Sequence, residues 1–132
     1  MSRRVKGGVG VLALLASGLV ALVMVPANPA SAACAVGVES GVEHGFFTGN
    51  NVNVRSGPRT SCEVVLVGQS SHTLRYDCWD YGTAVTRNGY TYTTWSHIMD
   101  ETVWTSGWVS DAFLSNAGAK PQCYSAGVLK AE

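Results

Sequence analysis

Four cysteines, Cys34, Cys62, Cys78 and Cys123, all lie after residue 33 of this 132-residue chain. They limit what it can fold into more than any other feature. An even number of cysteines in a small exported domain reads as a disulfide framework, and four cysteines allow three pairings. The favoured expectation is Cys62–Cys78 with Cys34–Cys123. The first bridge would close a loop of 15 intervening residues, worth about 3 kcal/mol in the chain-entropy treatment. The second would tie together the two ends of the exported chain. Zinc ligation is the competing chemistry, but there is no C-x-x-C pair and no H-x3-H spacing, so no metal or other cofactor is expected.

Export is read from residues 1–33. Arg3, Arg4 and Lys6 precede an apolar run from Val9 to Val25, and "PANPASAA" then supplies small residues at Ala30, Ala32 and Ala33. A positive start, an apolar middle and an A-x-A end make a secretory signal peptide, with cleavage expected after Ala32 or Ala33. An uncleaved anchor would need the apolar run to span a bilayer, for which it is at the lower limit. A lipoprotein would have Leu where Ser31 stands, and twin-arginine export would have apolar residues directly after Arg4. The expected product is a secreted protein with no membrane attachment after cleavage.

About a hundred residues then remain, enough for one small domain. Three of the nine basic residues leave with the leader and all nine acidic ones stay, so the net charge becomes 6 − 9 = −3. A chain without a basic footprint is a poor partner for phosphate backbones, so nucleic acid is not an expected partner.

No helical period follows residue 33. "NVNVR" alternates, with Val52 and Val54 on one face and Asn51, Asn53 and Arg55 on the other. "EVVLVG" is a β-branched run, and "TLRYDCW" places Leu74, Tyr76 and Cys78 on one side. Asn88-Gly89 inside "TAVTRNGYTYTTW" signals a tight hairpin. "SGWVSDAFL" starts as a strand and ends in a capped turn, with Ser110 or Asp111 as the cap. The predicted fold is all-β: a small barrel of about five short strands with a terminal 3-10 turn, stapled by disulfides. Residues 34–49 form a Gly-rich lead-in from which Phe46 and Phe47 pack onto the barrel, residues 50–115 form the barrel, and residues 116–132 form a tail pinned by Cys123.

"VNVRSGPRTSCEVV", a later Trp and the closing "GWVSDAFLS" resemble a bacterial SH3 domain (SH3b), whose signature is N-V-R-S-G-P-x-T-x-x-x-x-V followed by G-W-V and a short turn. The resemblance covers about residues 50–115. The cysteines, "CWDYGTAVTRNGYTYTTW" and "WVSDAFLS" are similar to a disulfide-bearing secreted subgroup. It implies an SH3-like barrel with a non-catalytic role, binding a cell-wall (peptidoglycan) peptide in an aromatic groove. The alternative is an extracellular protein–protein interaction or inhibitor domain. Turn chemistry alone accounts for the opening motif, since Gly57 reaches conformations closed to other residues and Pro58 fixes φ.

Catalysis is not expected. A thiol mechanism needs a free cysteine, Ser56 and Ser110 lack a G-x-S-x-G setting, and Asp77 with Asp80 read as solvated carboxylates at a strand end. Aromatics point instead to binding. Trp79, Tyr81, Tyr90, Tyr92, Trp95, Trp104 and Trp108 are seven large rings within thirty residues, more than so small a barrel can bury. Tyr81, Tyr90, Tyr92 and Trp95, together with Phe113, which the resemblance places at the edge of the peptide groove, are the candidate ligand-binding residues. Trp108 reads as core, Trp95 equally as core or groove, and His72 and His97 as surface or loop. A monomer is expected, with a wall peptide or a secreted protein as partner.

Overall fold

The computed structural model describes residues 34–124. The signal-peptide reading of residues 1–33 and the end of the tail lie outside the described residues. Six strands form one antiparallel sheet: β1 (Glu43–Gly45), β2 (Val52–Arg55), β3 (Val64–Gly68), β4 (Leu74–Arg87), β5 (Tyr90–Asp100) and β6 (Thr105–Ser110), in the order β1-β4-β5-β6-β2-β3. Two 3-10 turns follow, Asp111–Phe113 and Ser115–Ala117. The sheet curls into a half-barrel. One strand more than expected comes from β1, in the Gly-rich lead-in, while the two segments around "CWDYGTA" run on as the single 14-residue strand β4.

Several local expectations match the structure. Val52 and Val54 point inward while Asn53 is exposed. Asn88 and Gly89 both take positive φ, 51° and 80°, as the two-residue turn between β4 and β5 requires. Ser110 caps the first 3-10 turn, its hydroxyl accepting from the Ala112 amide. Phe47 is fully buried, whereas Phe46 stays half exposed.

The interior is filled by Phe47, Val52, Val54, Leu74, Tyr76, Ile98, Val109, Leu114 and Ala119. The buried Tyr76 hydroxyl bonds to Ser115 Oγ at 2.7 Å, which locks the second 3-10 turn over the end of the barrel. A second buried cluster, Cys78, Trp95, Trp108 and Cys123, lies on the other face of the sheet, since Trp108 alternates with Val109 along β6.

Cys78 reaches that outer face through a β-bulge. Tyr76 pairs with Ile98 but Cys78 pairs with His97, so Asp77 is the extra residue and every following side chain is turned over. This corrects the alternation that put Tyr76 and Cys78 on one side. It also corrects the disulfide pairing: the bridges are Cys34–Cys62 and Cys78–Cys123. Cys62 and Cys78 do not meet because β5, β6 and β2 stand between β4 and β3 in the sheet. Cys78 instead meets the tail, which runs beside β4 with Trp79 N–H donating to Pro121 O and Cys123 N–H to Trp79 O, at 2.9 and 2.8 Å. Cys34 lies against the β2–β3 loop, where a Cβ on Gly57 would collide with the Cys34 backbone.

The same loop helps to close the half-barrel. The Thr83 amide donates to Pro58 O at 3.2 Å, and the Thr60 amide to Thr83 Oγ1 at 3.2 Å. Gly82 permits this approach, because any Cβ there would overlap the Pro58 carbonyl and touch the Trp95 ring. The Gly-Pro turn therefore docks onto a second irregularity of β4, between Tyr81 and Val85.

Candidate functional site

Where the docked loop, β2 and the first 3-10 turn converge, they leave a groove of about 200 Å³. Its lining comes from three sources. β2 and the residues before it supply Asn50, Asn51, Val52, Asn53 and Arg55, the centre of the sheet supplies Val85, Trp95 and Ser110, and the loop and turn supply Thr60 and Phe113. The lining is fixed by its own hydrogen bonds. Asn51 takes a left-handed φ of 55°, tolerable for Asn, and its side chain is engaged by Gln69. Asn50 Oδ1 accepts from the Ser70 amide and hydroxyl at 2.9 and 2.8 Å. Trp95 Nε1–H donates to Thr83 O at 2.8 Å, so the indole is held in one orientation. Arg55 Nη1 donates to Cys62 O at 2.9 Å.

The five aromatic candidates are not gathered in one place. Trp95 and Phe113 line this groove together. Trp95 is only 2% exposed, so it serves the outer cluster and the groove at once. Tyr92 lines an adjoining hollow with Thr48, Arg87, Asp111 and Leu114. Arg87 of this hollow touches the groove's lining, its guanidinium lying 4.8 Å from the centroid of the Phe113 ring. Tyr90, 71% exposed, stands at the end of the β4–β5 hairpin, and Tyr81, 61% exposed, packs edge-on against Trp79. Neither lines the groove.

The lining residues absent from the candidate set are Val52, Val85 and the polar Asn50, Asn51, Asn53, Arg55, Thr60 and Ser110. For part of this set the signal was present in the alternation of "NVNVR", which turns Asn51, Asn53 and Arg55 to the face away from the core. Turn-building explains Gly57 and Pro58, but it leaves Asn53 and Arg55 free to face a ligand.

Carboxylates and histidines also differ from the sequence reading. Asp77 is 4% exposed, in the bulge, and accepts from the Gly41 amide and Arg75 Nε, with His97 Nδ1 at 2.8 Å from its other oxygen. His72 is bonded to the buried Asp100. Burial pushes the Asp77 carboxyl up, but the bonds from His97, Gly41 and Arg75 outweigh it and hold the carboxyl below its ordinary 3.8. Asp111 is raised, because burial outweighs the hydroxyls of Ser96 and Thr94 that bond to it.

The two residues act on stability with opposite signs. Asp77, depressed in the fold, adds stability above its ordinary pKa that is lost as pH falls through its folded value. Asp111, raised, adds stability below 3.8 that is lost as pH rises through its folded value. Asp77→Asn is therefore expected to destabilise most near neutral pH, with the difference from wild type fading as the pH falls below 3.8 and through the depressed folded value. Urea unfolding across that range measures it, and a difference independent of pH would contradict the assignment. Among the described residues, no group of three or more His, Cys, Asp or Glu is placed to hold a metal ion, and no helix is long and apolar enough to cross a membrane.

Comparison with known proteins adds a relative without an assigned role. The chain is 34% identical over 80 residues, 58% of its own length and 68% of the relative's, to the uncharacterized protein YraJ of Bacillus subtilis. No family model matches the chain, and no solved structure matches it.

Proposed function

The chain belongs to the same family as YraJ of Bacillus subtilis, and from its own motifs and groove we propose that it is a secreted, non-catalytic binding module of the bacterial SH3 type. Its groove holds a segment of extended cell-wall peptide. One observation carries this reading: Trp95 and Phe113 share a groove with the outward polar residues of β2. Fixed rings give an extended chain contact area at little entropic cost, and the amide of Asn53 can donate to and accept from a peptide backbone. At about 200 Å³, the groove is smaller than an ordinary small-molecule cavity, so it suits a few residues of a chain held with modest affinity. The two disulfides support an extracellular setting.

A second reading, as an interaction or inhibitor domain for another secreted protein, is favoured by β3. This strand lies at the sheet edge and exposes Val64, Val65 and Val67. Strand addition by a partner would use such an edge.

Co-sedimentation of the oxidised protein with purified peptidoglycan sacculi separates the two. Saturable binding that survives added salt is expected, and Phe113→Ala should weaken it at least roughly tenfold, as truncation of a central aromatic anchor does. Protein that stays in the supernatant at every concentration would overturn the wall-binding reading.

A further inference from the structure

Charge is unevenly placed around the groove. None of its ten lining residues is acidic, although acidic residues outnumber basic ones by nine to six after residue 33. Arg55 lies in the lining, and Arg87, from the neighbouring hollow, lies over the Phe113 ring that the groove shares. Among the described residues the ion pairs involve Arg75 and the three histidines, and neither Arg55 nor Arg87 has a carboxylate partner.

Arg87 is half-buried and held only by neutral acceptors. Its Nη1 donates to Thr48 Oγ1 and Ala112 O, and its Nη2 to Thr48 O. A guanidinium has five N–H donors, so Nε–H and the second Nη2 hydrogen are left over. Those two hydrogens form the planar fork that matches a carboxylate. The acid of the adjoining hollow, Asp111, does not fill it, because its oxygens accept from the Ser96 and Thr94 hydroxyls. A permanently charged group has thus been fixed in place by neutral partners beside an aromatic groove, with no carboxylate in ion-pair contact.

We propose that the groove selects acidic peptides, with a ligand carboxylate docking on Arg87 while the neighbouring residues lie against Phe113 and Trp95. The inference rests on the peptide-groove reading above and adds the charge of the ligand. Arg55, further along the lining, favours a second acidic position in the same chain. An acidic protein gains from this arrangement because its overall field repels anions, so only a ligand that reaches the arginines is held.

The test uses two probes of equal length, Ala-Glu-Ala-Glu-Ala with a free C-terminus and Ala-Gln-Ala-Gln-Ala amidated at its C-terminus. Each is titrated into the oxidised protein while the Trp95 indole resonance is followed. The acidic peptide is expected to bind roughly tenfold tighter, the weight of one charge-assisted hydrogen-bonded contact. The ratio should shrink with added salt. Arg87→Gln should cut the ratio to the small remainder that Arg55 supplies, and Arg87→Lys, which keeps the charge but loses the fork, should leave an intermediate value. Equal affinity of both peptides for the wild-type protein would overturn the acidic preference while leaving the groove reading intact. Failure of both to shift Trp95 would overturn the two together. Tighter binding of poly(glycerol phosphate) than of the acidic peptide would overturn the peptide and assign the arginines to an anionic polymer. The wild-type comparison needs no variant, so poor folding of an Arg87 substitution leaves the test intact.

Discussion

Replacing Cys78 and Cys123 together by serine is expected to lower the stability of the oxidised protein by about 4 kcal/mol. The bridge joins residues 45 apart, and the entropy removed from the unfolded chain grows with the logarithm of that loop. Cys34–Cys62, with a separation of 28, is expected to give only slightly less, about 3.5 kcal/mol. The larger effect has a structural side as well. Cys78 and Cys123 sit in the outer cluster with Trp95 and Trp108. Freeing the tail from β4 therefore loosens the support behind the groove. Urea denaturation of both double-serine variants measures the two costs. A loss below about 1 kcal/mol for the Cys78–Cys123 pair would contradict the view that this bridge holds the tail, given what native bridges contribute in small secreted domains.

Trp95→Ala is the second large effect, with an expected cost of about 3–5 kcal/mol, the range for deleting a buried aromatic side chain. Trp95 is 2% exposed, packs with both cysteines of the tail bridge, and satisfies the Thr83 carbonyl through its indole N–H. The truncation leaves a cavity and an unpaired acceptor beside the docked Gly-Pro loop. Since the same ring walls the groove, ligand binding should disappear with it. Phe113→Ala provides the contrast: Phe113 is only partly buried, so its loss should weaken binding with a much smaller cost in stability. If Trp95→Ala left stability unchanged, the indole would have to be a surface group, against its packing in the outer cluster.

These two residues also show how far the sequence could be read. Alternation in "NVNVR" was enough to face Val52 and Val54 inward and Asn53 outward, and Asn88-Gly89 was enough for the hairpin. Both signals are local, set by side-chain period and by φ. Residue 77 was different. A single extra residue in β4 turns Cys78 to the opposite face, and "RYDCW" does not mark it, because beside the neighbouring Arg75 the Asp77 carboxylate is held by two partners distant in sequence, Gly41 and His97. The disulfide pairing depended on that turn, so loop length alone chose the wrong partners. Asp77 and His97 look like surface residues in sequence for the same reason.

The groove was half legible. Phe113 could be singled out because the SH3b resemblance places an aromatic at the last turn, and Trp95 because seven large rings are more than so small a barrel can bury. Tyr81 and Tyr90 were singled out on the same ground but stand elsewhere, since which rings converge depends on the irregularity of β4 between Tyr81 and Val85. Asn53 and Arg55 faced the right way but were attributed to the turn that follows them. The docking of that turn onto Gly82 and Thr83, which shapes the groove, is a contact between distant segments with no trace in either one.

The most direct measurement is a residue-resolved NMR titration of the oxidised, isotope-labelled protein with soluble peptidoglycan fragments. The account predicts saturable shifts at the amides from Asn50 to Arg55, at the Trp95 indole N–H and at Phe113, with Tyr81 and Tyr90 unmoved. Shifts confined to the exposed valines of β3, or to the β4–β5 hairpin tip, would contradict the groove as the site of recognition.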